Sequence, residues 1–186
     1  MSQQETVLSS QPIESPVTVD GRVLRPNLLV TLPQIPVRYD WGWNIMISRA
    51  GPNTPVDDDV RRLGELWTVD HKGVVPTDIT LVGFSRSIDF QPILDFGQQW
   101  HLGRFINPYE CYALPIHRPK LHLELGRNLM GLASLDYREH KGLRRICAFL
   151  WDGKTMECGA PFLDLGLPDE AVFGFVLRPP ELVRRR

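Results

Sequence analysis

Large apolar side chains keep a regular period over only a few stretches of this chain, and those stretches set the elements to expect. Trp43, Ile45 and Ile47 alternate with Asn44, Met46 and Ser48, the period of a half-buried strand. Gly51, Pro52 and Asn53 break the run. Thr54 then suits an N-cap, Pro55 the first helical position, and Asp57 a variant of the capping box. Asp57, Asp58 and Asp59 fall in the first turn, where they complement the helix dipole. Val56, Val60, Leu63 and Trp67 follow at spacings of four, three and four, which make one apolar stripe. Asp57 with Arg61 and Asp58 with Arg62 pair along the opposite side. The pattern predicts a helix over 55–69, a turn at Gly73 and Pro76, and a strand carrying Ile79, Leu81, Val82 and Phe84.

Around this strand–helix–strand run the signals are weaker. Residues 1–21 are polar and Pro-containing, the composition of a disordered arm. Pro26, Pro33 and Pro36 remove ladder donors from the apolar stretch 22–37, which predicts an edge strand or an extended surface segment. Six prolines and glycines make 87–119 read as a long irregular loop, although Ile93, Leu94, Phe96, Trp100 and Phe105 are too many large apolar groups for a solvated one. Leu121, Leu123 and Leu125 alternate with polar residues and predict a strand. Further strands are expected at 129–135, Leu143–Trp151 and 171–177, the last with a helical turn led in by Asp169 and Glu170 as the alternative. The domain layout that follows is an arm over 1–21, one globular domain over 22–180, and a basic tail over 181–186.

Composition narrows the function classes. A chain of 186 residues can bury a core without a disulfide or metal staple. Its formal net charge of −1 excludes a bulk polyanion binder, so phosphate or anionic-lipid contacts must come from local patches. Residues 1–93 carry 8 Lys+Arg against 11 Asp+Glu, and residues 94–186 carry 13 against 11. The candidates for RNA phosphate or anionic lipid are therefore Arg127, Arg138, Lys141, Arg144 and Arg145, with Arg184, Arg185 and Arg186 as a flexible supplement. Three irregularly spaced cysteines, no signal-peptide pattern and no long apolar run predict a protein of a reducing compartment that does not span a membrane.

No catalytic constellation is expected. His117 and His122 lack a paired partner set with Cys111, Cys147 reads as a small core residue, and Asp57–Asp59 are explained by the helix first turn. No nucleotide loop, nucleophile elbow, zinc site or cofactor motif is present, so catalytic and metal residues and cofactors are all expected to be none. Residue chemistry alone goes no further than a soluble, β-rich globular domain.

The order of elements resembles the matrix proteins of rhabdoviruses, in particular the vesiculovirus type. The carrying residues are Trp43 to Ser48, Asp59 to Trp67, Ile79-Thr80-Leu81-Val82-Gly83-Phe84, Pro92-Ile93-Leu94-Asp95-Phe96-Gly97-Gln98, Cys111-Tyr112-Ala113-Leu114-Pro115-Ile116-His117-Arg118, and Glu170 to Val176. They run in order over about residues 40–178. The chain departs from the family in lacking a lysine-rich N-terminal arm and a Pro-Pro-x-Tyr motif. What the resemblance implies is an α+β fold: a bent antiparallel sheet with one main amphipathic helix, the 55–69 helix, packed on one face, vesiculovirus-matrix-like. It implies a non-enzymatic viral matrix protein that self-associates, condenses the ribonucleoprotein and links it to the envelope, with a small viral RNA-binding or host-interaction protein, such as a silencing suppressor, as the alternative. The implied partners are itself, viral nucleoprotein–RNA, an anionic membrane surface and host factors. The implied locations are the virion and the host cytoplasm, peripheral at membrane, with the nucleus as a further compartment. The resemblance also implies a self-association loop, here Pro92, Ile93, Leu94 and Phe96 within 91–99, docking on a neighbouring subunit; folding back onto the chain's own core is the alternative for these side chains.

Overall fold

Two runs of the chain are buried at every consecutive position, residues 79–84 and Ala171–Val176. A strand sends successive side chains to opposite faces, so unbroken burial requires both faces of its sheet to be covered. The computed structural model describes residues 17–19, 22–51, 56, 60, 61, 67, 71–140, 142–151, 156–159, 161, 163 and 171–177. Among these, β1 (Val17–Val19) and β2 (Arg22–Leu24) form a small hairpin. They are followed by β3 (Pro26–Arg38), α1 (Trp43–Ala50), β4 (Val74–Phe84), α2 (Phe90–Gln99), β5 (Arg104–Phe105), α3 (Pro108–His117) and α4 (Leu121–Glu124). The chain closes with β6 (Met130–His140), β7 (Leu143–Trp151), β8 (Met156–Gly159) and β9 (Ala171–Val176).

The fold is α+β. Among the described residues the main sheet has seven strands in the order β3-β4-β9-β6-β7-β8, with β5 added against β9. Every pairing is antiparallel except β6 with β9, which is parallel, so the sheet is mixed rather than antiparallel throughout. The last described strand thus lies in the middle. One edge of β9 pairs with β4. The other is shared: β6 takes Ala171 to Phe173, and β5 takes Phe175 and Val176.

Alternation sorts the apolar side chains into two cores. On one face Val30, Leu32, Leu81, Leu132, Phe149 and Val172 meet α1 and α3 through Met46, Ile47, Tyr112 and Leu114. On the other face Val82, Phe84, Ile146, Phe173 and Phe175 meet α2 through Ile93 and Phe96. The second contact is close: a Cβ on Gly97 of α2 would lie 2.4 Å from the Phe175 ring, so a glycine is required there. Helices therefore cover both faces, where one covering helix was expected.

The strands expected at 79–84, 129–135, Leu143–Trp151 and 171–177 are found as β4, β6, β7 and β9, and the proline-bearing segment 22–37 as the edge strand β3. Four expectations are corrected. The stretch expected as a strand at 43–48 is helix α1, with Trp43, Met46, Ile47 and Ala50 buried at helical spacing and Ile45 half exposed. Six residues satisfied both periods, and Met46, counted on the polar side, belongs to the core. Leu121, Leu123 and Leu125 are not a strand either: α4 is a single helical turn that buries Leu121 and leaves Leu123 exposed. The irregular loop expected over 87–119 holds two ten-residue helices. Pro92 is the third residue of α2 and Pro108 the first of α3, positions whose N–H has no acceptor within the helix. Finally, Val17–Val19 within the expected disordered arm is strand β1.

The expected 55–69 helix is only partly described. Val60 and Arg61 are helical, Val56 instead forms a bridge with Cys158, and Trp67 lies outside helix and strand. The remainder of that helix, including Asp57 to Asp59, lies outside the described residues.

The two phases for 43–50 separate cleanly by mutation. A strand would set Ile45 and Ile47 on one face, whereas α1 buries Ile47 and exposes Ile45. Ile47→Ala should cost about 2–5 kcal/mol in urea unfolding, and Ile45→Ala less than about 0.5 kcal/mol. Equal costs would overturn the helical assignment.

Candidate functional site

Where β6 leaves β9 after Ala133 and β5 takes its place, the sheet splits, and a cavity of 660 Å³ opens beside the split. The ladder between β6 and β7 is irregular between Ser134 and Arg138, and the residues released there, Leu135, Asp136 and Tyr137, form one wall with Arg138. Phe90 and Leu94 of α2 form a second wall, and Arg104, Phe105 and Asn107 the floor. Trp67 and His71 complete the lining.

The floor is held by a buried carboxylate. Glu110 of α3 is 1% exposed and accepts from four donors. Arg104 Nη1 donates to Oε2 at 2.7 Å and Arg104 Nη2 to Oε1 at 2.5 Å; Tyr39 Oη reaches Oε1 at 2.8 Å and the Asn107 backbone N–H reaches Oε2 at 2.8 Å. Asn107 Oδ1 in return accepts from the Glu110 N–H at 3.0 Å, which completes a capping box with Pro108 at the first helical position. The adjacent carboxylate holds the Arg104 guanidinium above its ordinary pKa despite burial. Burial, and then the negative charge of Glu110, pushes the Tyr39 phenol up.

Trp67 is sandwiched. Its ring stacks on Trp43 with centroids 6.1 Å apart, and the Arg138 guanidinium lies 5.4 Å over it. Arg138 Nη1 also donates to Asp136 Oδ1 at 2.6 Å. The Trp67 indole Nε1 is buried and has no hydrogen-bond partner among the described residues.

The expected basic residues do not form one patch. Arg138 and Arg145 are cross-strand partners, as are Glu139 and Arg144. Arg144 and Arg145 are adjacent on a strand and so project from opposite faces. Arg144 lies 5.6 Å from the Tyr137 ring, whereas Arg127 is far along the sheet, donating to Asn27 Oδ1 at 2.7 Å. Lys141 and Arg184 to Arg186 lie outside the described residues. In the expected self-association loop, Ile93 and Phe96 are fully buried on the sheet, Pro92 and Leu94 only partly so. The first two follow the alternative of folding back onto the core.

Cys111, Cys147 and Cys158 are free and buried. Burial pushes the Cys111 and Cys147 thiols up, away from the thiolate that a cysteine nucleophile or metal ligand requires. Among the described residues, no three of His, Cys, Asp and Glu converge as a metal site; His122 stacks on Trp151 instead. No helix among the described residues is long and apolar enough to cross a membrane.

Sequence reading passed over the residues that build this floor, Tyr39, Arg104, Asn107 and Glu110. The signal was present for two of them: Asn107-Pro108-Tyr109-Glu110 is an N-cap, a first-position proline and a capping-box acid in register. Arg104 and Tyr39 carry no local signature, because their partner is set by the tertiary fold. No family model, curated protein or solved structure matches the chain.

The pairing makes two expectations concrete. Arg104→Met and Glu110→Gln should each cost about 3 kcal/mol, and the double variant scarcely more than the worse single one. Additive costs in urea unfolding would show that the two residues do not act as a unit. Stability should also fall above about pH 10, because Tyr39 keeps its proton in the folded chain after it has lost it in the unfolded one. Tyr39→Phe should shallow that alkaline decline, read from denaturation midpoints against pH; an unchanged slope would assign the effect to other groups.

Proposed function

We propose that this chain is a matrix-type structural protein of a virus, one that self-associates and bridges a ribonucleoprotein to an envelope. The observation that carries the reading is that four of the sequence segments similar to the rhabdovirus matrix family are neighbours in space as well as collinear. The segment 79–84 ends β4, which pairs with β9 from the segment 170–176. The segment 92–98 is the body of α2, and its Gly97 rests on Phe175 of β9. The segment 111–118 is most of α3, packed under the same sheet. Together they form one contiguous block. The opening segment at 43–48, expected as a strand, is a helix and lends no support; the segment 92–98 keeps its place in the order but is a helix rather than the loop that the resemblance implies, and the vesiculovirus-like fold is part of the proposal.

Self-association is then a property of surfaces other than Ile93 and Phe96, which are committed to the core. The basic contacts of the reading are Arg127, Arg138, Arg144 and Arg145, together with Lys141 and Arg184 to Arg186, acting on more than one face. Such a protein should polymerise on lowering the salt concentration, as measured by sedimentation and light scattering of the purified full chain, and single Arg144→Glu and Arg145→Glu variants should weaken this unequally. A chain that stays monomeric at all salt concentrations while binding RNA tightly, with a steep salt slope, would replace the matrix reading with that of a small RNA-binding protein.

A further inference from the structure

We propose that the solvent face of α1, with the neighbouring ends of β3 and β4, docks on an anionic lipid surface. The inference rests on the matrix reading, to which it adds the face turned towards the envelope. That face carries none of the basic residues expected from the sequence.

The patch follows from the phase of α1. The helix buries Trp43, Met46, Ile47 and Ala50, which turns Ile45 and Arg49 outwards. Ile45 is 51% exposed, and Arg49 follows one turn later on the same face. Trp41, between β3 and α1, packs partly on the core. Over its ring lie two guanidinium groups, Arg38 at 4.8 Å and Arg49 at 5.8 Å from the centroid. Val74, the cross-strand partner of Arg38, stands on the same face of the ladder and is 48% exposed. Arg38 and Arg49 thus join three large apolar side chains into one surface.

Charge gives that surface a sign. Arg38 is paired with Asp40 at 2.7 Å. Arg49, and Lys72 just before β4, are exposed and form no ion pair among the described residues. Three cations therefore stand against one carboxylate, a net charge of +2 on the described patch. Cations near an anionic leaflet are attracted to it, aliphatic groups beside them enter the boundary between headgroups and acyl chains, and tryptophan favours that depth.

Other partners fit less well. Trp41 is no open platform for a nucleotide base, because two guanidinium groups already cover it. Ile45 and Val74 would find nothing apolar along a phosphate chain. A symmetric contact between two copies would set Arg49 and Lys72 against their own counterparts, and like charges oppose such a contact.

The test is flotation of the full-length protein with phosphatidylcholine vesicles, with and without phosphatidylserine, at physiological salt. The protein should float with the vesicles that contain phosphatidylserine and stay behind with the others. Ile45→Ser and Arg49→Glu should each weaken binding about tenfold, and Ile45→Trp should strengthen it about threefold. All three should melt as the wild type does, since both side chains are exposed. The proposal is overturned by a wild-type protein that binds neither vesicle, or by binding that Ile45→Ser and Arg49→Glu leave intact. Loss of oligouridylate binding or of a dimer in these variants, with vesicle binding kept, also overturns it by giving the face to nucleic acid or to a second copy. Polymerisation at low salt is followed on the same proteins. A wild type that polymerises without binding vesicles overturns the docking face and leaves self-association standing. One that binds vesicles through α1 and stays monomeric supports the docking face and overturns the matrix reading.

Discussion

A carboxylate taken out of water must be met by donors from its own fold, and Glu110 is the place where this protein meets that requirement. Its four donors come from three separate parts of the chain: Tyr39 just past β3, Arg104 in β5, and Asn107 at the start of α3. β5 has only two residues, and it stays against β9 because Arg104 is anchored from below and Phe105 packs on Phe175 from above. The same anchoring fixes where α3 begins, and with it the helix that carries Tyr112 and Leu114 into the core. The split in the sheet, and the cleft beside it, exist because this carboxylate holds the inserted strand in place.

Legibility in the sequence followed the length of each signal. β4 and β9 were readable because closely spaced β-branched and aromatic residues have few other uses, and β6 and β7 because their apolar runs are bounded by polar residues. Shorter runs were ambiguous: in 43–48 and 121–125 the alternation was real, but so was the helical spacing, and tertiary burial decided. Prolines misled in the opposite direction. At Pro92 and Pro108 they sit in helix first turns, so what reads as a break is a start. The candidate site was the least legible part. The Asn107–Glu110 box is local and could be read, whereas the company of Arg104, Tyr39, Trp67 and Tyr137 is set by strand order, which no short pattern encodes.

Both ends of the sheet carry features that discourage further pairing. β3 is a long edge strand, yet Pro26, Pro33 and Pro36 remove donors, and the register slips between Leu32 and Ile35, where Gln34 takes a positive φ and its N–H turns to Asp78. At the opposite edge β8 is short, and Val56 bridges to Cys158. A protein that assembles through strand addition would leave such edges open. Whatever contacts this chain makes with copies of itself are therefore expected from its faces and loops.

The position of β9 has a consequence for how the protein is made. This strand follows every other described strand in the chain, yet it is hydrogen-bonded to β4, β5 and β6 and contributes to both cores. It leaves the ribosome after all the strands that it joins. Until it is in place, β3–β4 and β6–β7 are two strand pairs with nothing between them, their inner edges unpaired. Closure joins residues about ninety positions apart, a separation that slows the search for the native pairing. The nascent chain therefore stays in halves until β9 is made, exposed to chaperones and to other copies, and is joined only when that strand inserts.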